Sequence, residues 1–95
     1  VGVDALGANT TTSNNTALGY NALLLNTASN NTAVGSLALD ANTTGTSNVA
    51  VGTGALGANV VGDEVTALGY NALLLNTASN NTAAGSLALA ANTIG

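Results

Sequence analysis

Four side chains in this chain carry charge near neutral pH, Asp4, Asp40, Asp63 and Glu64, and they set the formal net charge of −4. Asp63 and Glu64 are adjacent, in the segment Val60-Val-Gly-Asp-Glu that precedes Val65. A calcium site needs several oxygen ligands with carboxylates among them. This pair stands alone and is expected to be a solvated turn, so neither a metal nor a cofactor is expected. General acid–base catalysis needs a positioned histidine, paired carboxylates or an equivalent. The chain has no histidine, and its many Ser and Thr hydroxyls have no base to activate them. No catalytic constellation is found, and the protein is expected not to be an enzyme. Nucleic-acid binding is excluded as well, because no Lys or Arg is present to neutralise phosphates. Tyr20 and Tyr70 read as side chains packed over a turn.

Composition narrows the remaining classes. At 95 residues the chain is one small domain, 1–95, for which an ordinary globular core is marginal. There is no Cys, and hence neither a disulfide framework nor a thiolate metal site. No apolar run approaches the length of a membrane span, and no basic amphipathic face is available to hold anionic lipid, so membrane insertion is not expected. The abundance of Asn, Thr, Ser and Gly suggests a disordered tract, yet 46% of residues are apolar and they recur on a schedule.

That schedule is an internal repeat. Residues 1–45 align with 51–95, and 16–33 recur unchanged as 66–83. Within each block the anchors Val1, Leu18, Val34, Val51, Leu68 and Ala84 mark six units of 16–17 residues. Units this short cannot bury their own apolar face, and they point to an all-β parallel β-solenoid, a β-roll of six coils. Gly follows every anchor: Gly2, Gly19, Gly35, Gly52, Gly69 and Gly85. Such a column suits a bend or a positive φ. Leu6, Leu23, Leu39, Leu56, Leu73 and Leu89 form a second column, and Asn9, Asn26, Asn42, Asn59, Asn76 and Asn92 a third. Helix is disfavoured because Gly, Asn and Thr interrupt every five or six residues.

Read as strands, the units assign side chains to faces by their spacing of two. The leucine column, the anchors Leu18, Val34, Val51 and Leu68, and the column Ala8, Leu25, Ala41, Ala58, Leu75, Ala91 are then expected in the core. The invariant Asn closes a turn, and its amides can bond along the axis as a ladder. With Leu23 and Leu25 inside, Leu24 points outward, and Leu74 likewise, so these two are the expected interface with a partner. Val1 starts at an anchor and Gly95 stops short of the next one, without the polar cap of a terminal coil. Either a slice of a longer fibre or end-to-end stacking is expected from that. Sequons at Asn9, Asn14, Asn30, Asn42 and Asn80 matter only in a glycosylating host.

The fourth unit, Asn48-Val-Ala-Val-Gly-Thr-Gly-Ala-Leu-Gly-Ala-Asn59, resembles the head repeats of trimeric autotransporter adhesins. The Asn-Thr-Ala-Leu/Val-Gly units beginning at Asn15 and Asn31, and the variant at Asn81, are similar to repeats of phage and viral tail fibres and of cell-surface proteins. The resemblance implies a left-handed roll, three chains side by side, an extracellular, cell-surface or virion location, and binding to a host surface or matrix. The units here are longer than those head repeats, which are nearer fourteen residues, and triple leucines are not typical of them.

The expected function is therefore a structural or adhesive module of a fibre, with itself as partner in a homotrimer or an end-to-end filament. The alternative is an ice-binding solenoid that uses the column Thr10, Thr27, Thr43, Thr77 and Thr93, which Val60 interrupts.

Overall fold

The computed structural model describes residues 1–93; Gly95, and with it the reading of the C-terminal end, lies outside them. Among the described residues there is no helix, and five three-residue strands form one parallel sheet in sequential order. They are β1 (Thr16–Leu18), β2 (Thr32–Val34), β3 (Val49–Val51), β4 (Thr66–Leu68) and β5 (Thr82–Ala84). Each of β1 to β4 pairs with its equivalent in the next unit, as in Ala17↔Ala33 and Ala50↔Ala67. The result is a β-solenoid of about four turns, 31 × 20 × 16 Å.

The strands are short because Gly ends each of them. Gly19, Gly35, Gly52 and Gly69 have φ of 131–133°, a region open to glycine alone. Each backbone also lies directly on the next: a Cβ on Gly35 would fall 2.6 Å from the carbonyl carbon of Gly52. Amide-to-carbonyl bonds of 2.7 Å run up this stack, from Gly35 N to Leu18 O and from Gly52 N to Val34 O.

The segment after each Gly is a run of tight turns where a second strand was expected. In the second unit Ala22 N donates to Gly19 O, Leu24 N to Asn21 O and Asn26 N to Leu23 O. The alternate amides leave the coil: Leu23 N donates to Ala38 O and Leu25 N to Asp40 O. Most backbone amides in this wall therefore find an acceptor without a strand ladder. The first two turns have positive φ at their third residues, Asn21 at 57° and Leu23 at 53°, and equivalent positions in the other units behave alike. Holding leucine there costs about 1–2 kcal/mol. Full burial of the side chain contributes about 1.5–3 kcal/mol, and burial prevails.

This geometry corrects the face assignments. Positive φ breaks the in–out alternation of a strand, so Ala22 and Leu23 both point inward. Leu23, Leu39, Leu56 and Leu73 are fully buried; Leu6 and Leu89, with a neighbouring coil on one side only, are half-buried and 54% exposed. Leu25 and Leu75, assigned to the core by spacing, are half exposed. Leu24 and Leu74, assigned to the outside, are half-buried. They lie over glycines of the preceding coil, with Leu24 Cδ1 3.1 Å and Leu74 Cδ1 3.0 Å from where a Cβ on Gly7 or Gly57 would be.

The anchors are corrected too. Leu18, Val51 and Leu68 are 48%, 38% and 42% exposed, Val34 is half-buried, and Val1 and Ala84 are exposed. The inward residue of each strand is the preceding alanine: Ala17, Ala33, Ala50, Ala67 and Ala83. A one-residue shift of register exchanges the faces of a strand. The core thus combines one leucine per coil with small alanines from both walls, and Val65 joins it.

Candidate functional site

Three features could serve a function: a buried polar spine, the outer face of the sheet, and the face formed by the turns. The spine starts from the asparagine column. Asn26, Asn42, Asn59 and Asn76 are fully buried. Asn42 Nδ2 donates to Asn26 Oδ1 at 2.7 Å, Asn59 Nδ2 to Asn42 Oδ1 at 3.1 Å and Asn92 Nδ2 to Asn76 Oδ1 at 3.3 Å. A second column, Asn15, Asn31, Asn48 and Asn81, runs beside it. Asn31 N donates to Asn15 Oδ1, Asn48 N to Asn31 Oδ1 and Val65 N to Asn48 Oδ1, each at 2.9 Å. The columns are cross-linked, since Asn31 Nδ2 donates to Asn26 Oδ1 at 3.1 Å. Val65 replaces asparagine in the second column and can offer Asn81 no such oxygen. The spine is structural: its polar atoms are occupied by one another and by backbone.

On the outer face of the sheet two columns stand side by side. One is Thr16, Thr32, Val49, Thr66 and Thr82; the other is Leu18, Val34, Val51, Leu68 and Ala84. The rows are one strand spacing apart, about 4.8 Å. Side-chain spacing does not reveal this surface, because it places the anchors inside. A signal was present: the residue before the anchor is alanine in all five strands, whereas the anchor varies among Leu, Val and Ala. A fully packed site tolerates no such change of volume, and a surface does.

The turn face carries the bulkier side chains in a three-unit pattern. Tyr20, Leu24 and Leu25 project from the second unit, and the identical Tyr70, Leu74 and Leu75 from the fifth. Between them the fourth unit presents Gly54, Gly57 and Ala58. That loss of volume opens a groove of about 410 Å³, bounded by Leu37 and Asp40 on one side and by Tyr70, Asn71, Leu74 and Leu75 on the other. Tyr20 and Tyr70 are both 54% exposed. Partial burial pushes the Asp40 carboxyl above its ordinary value, against the smaller opposing pull of the Asp40 and Ala41 amides.

The remaining acidic residues lie elsewhere. Asp63 accepts from Thr46 N at 2.7 Å and from Thr46 Oγ1 at 3.2 Å, a contact between coils, and Glu64 is exposed. No group of three His, Cys, Asp or Glu side chains comes together among the described residues. The threonine column Thr10, Thr27, Thr43, Thr77 and Thr93 runs along a different edge. Three of its hydroxyls donate along the axis to carbonyls: Thr27 to Thr43 O, Thr43 to Val60 O and Thr77 to Thr93 O.

No family model, curated protein or solved structure matches the chain.

Proposed function

We propose that this chain is a structural and adhesive module of a fibre, associating with copies of itself and performing no chemistry of its own. The observation that carries the reading is the outer face of the sheet, where Leu18, Val34, Val51 and Leu68 form a continuous apolar column on a regular surface. A contiguous patch of this kind is what a protein interface uses. The chain has no cationic side chain, so ion pairing between side chains of two copies has nothing to work with and apolar contact is left as the driving force.

Magnitudes bear on the form of the assembly. Covering a half-exposed leucine or valine contributes about half of the 1.5–3 kcal/mol of full burial. A pair of chains covers eight of them, about 6–12 kcal/mol, which is of the same order as an association cost of about 4–15 kcal/mol. Apolar contact of this size is enough to hold copies together, and the homotrimer is the form that the adhesin resemblance implies. The equivalence of the two blocks, 1–45 and 51–95, supports end-to-end stacking as a second mode. The same resemblance supports six coils wound left-handed, an extracellular, cell-surface or virion location, and a host-surface or matrix ligand. The ice-binding alternative is less well supported, because three of the five threonine hydroxyls it needs are engaged within the coil stack.

Val51→Asp combined with Leu68→Asp tests the reading. The pair places carboxylates on the outer face and leaves the core untouched. The expected result is loss of the assembly with an unchanged far-ultraviolet circular dichroism spectrum. An assembly of unchanged mass would rule out the sheet face as the interface.

A further inference from the structure

We infer that the groove between the third and fifth units is a binding site for a neutral saccharide, one pyranose ring lying against Tyr70. Two features of the groove suit such a ligand. Its walls are apolar, from Leu37, Leu74 and the half-exposed ring of Tyr70, and at its floor Leu74 and Asn71 lean onto the backbone of Gly57 and Gly54. The space of about 410 Å³ between Leu37 and Asp40 on one side and Tyr70 and Leu74 on the other is large enough for one ring. An aromatic face beside aliphatic walls suits the C–H face of a sugar.

Polar groups border the same space. The Asp40 carboxylate faces the notch, its Oδ1 3.7 Å from where a Cβ on Gly57 would stand. Asn71 holds its carboxamide over Gly54, where an added Cβ would collide with Oδ1. Thr53 is exposed at the rim. Together they supply an acceptor, an amide that both donates and accepts, and a hydroxyl, the set that ring hydroxyls need. Charge decides the class. With no Lys, Arg or His in the chain and a carboxylate in the groove, an anionic ligand meets only repulsion.

The groove depends on one unit. Glycine occupies both of these positions in the fourth unit alone; the others carry Asp4 and Gly7, Asn21 and Leu24, Leu37 and Asp40, Asn71 and Leu74, and Leu87 and Ala90. The site supplies the adhesive part of the proposed function with a ligand class. It rests on that reading for its role, though not for its geometry, which lies away from the outer sheet face.

The test is saturation-transfer difference NMR on the full chain with the methyl glycosides of glucose, galactose, mannose and N-acetylglucosamine. N-acetylneuraminic acid and tetramethylammonium serve as comparators. At least one neutral glycoside is expected to bind, with Kd of about 1 mM. Tyr70→Ala and Gly57→Ala should each weaken it about tenfold, equivalent to one decade in Kd. Tyr20→Ala, on the ridge that does not border the groove, should leave it unchanged. The inference is overturned by no transfer to any neutral glycoside at about 10 mM, a decade weaker than the expected Kd. Undiminished transfer in both groove variants, or comparators binding as well as the glycosides, would also overturn it. Light scattering on the same samples reports assembly separately, so an associated chain that binds no sugar removes this site and leaves the fibre reading standing.

Discussion

Asn42 Nδ2 donates at 2.7 Å to Oδ1 of Asn26, its equivalent in the preceding coil, and at 2.9 Å to the carbonyl of Gly45. Its own Oδ1 accepts from Asn59, so one side chain ties three consecutive coils together. Each link is worth about 0.5–1.5 kcal/mol net, and Asn42→Ala should cost about 3 kcal/mol in a denaturant titration. Asn42→Asp should be worse, more than about 4 kcal/mol at neutral pH, because it buries a charge with no cation to pair with it. Equal stability of the two variants would show that packing, and not amide bonding, is what the column supplies.

Glycines in this chain have two different roles, and substitution separates them. Gly35 sits at φ 132° with the next coil's backbone 2.6 Å from a would-be Cβ, so Gly35→Ala meets both backbone strain and a collision with main chain. A loss of about 3 kcal/mol or more is expected. Gly57→Ala would meet Leu74 Cδ1 at 3.0 Å and Gly54 O at 3.1 Å. The leucine can shift, and the cost should stay within about 1 kcal/mol. Thermal unfolding of the two variants, compared at matched protein concentration, checks the order.

Asp40 should make stability depend on pH in the direction opposite to most acidic residues. Burial raises its carboxyl above 3.8, so the folded chain binds the proton more tightly than the unfolded chain. Its contribution to stability therefore grows as pH falls through the folded-state value, is complete below 3.8, and is lost as pH rises. The difference in unfolding free energy between wild type and Asp40→Asn, followed from neutral pH into the carboxylate range, should shift in favour of the wild type on acidification. A difference that stays flat would mean that Asp40 is solvated.

The period and the solenoid class could be read from the sequence, because units of 16–17 residues with fixed Gly, Leu and Asn columns leave a short chain few ways to form a core. The faces were harder to read. Leucine rarely takes a positive φ, so Leu23-Leu24-Leu25 looks like a strand, and its wall of turns is evident only from Asn21 and Leu23 in the folded chain. That same error hid the outer sheet face, since an alanine such as Ala17 gives no hydropathy contrast against Leu18. The groove at Gly57 escaped notice for another reason: it arises from the side chains of three different coils and belongs to no single motif.

The central claim is association, and the mass of the wild-type protein in dilute buffer measures it most directly. Light scattering, with an electron micrograph of the same sample, should return a multiple of the 9.0 kDa chain, either as a discrete ring or as filaments. A sample that remains at 9.0 kDa at every concentration, with its circular dichroism intact, would contradict the account.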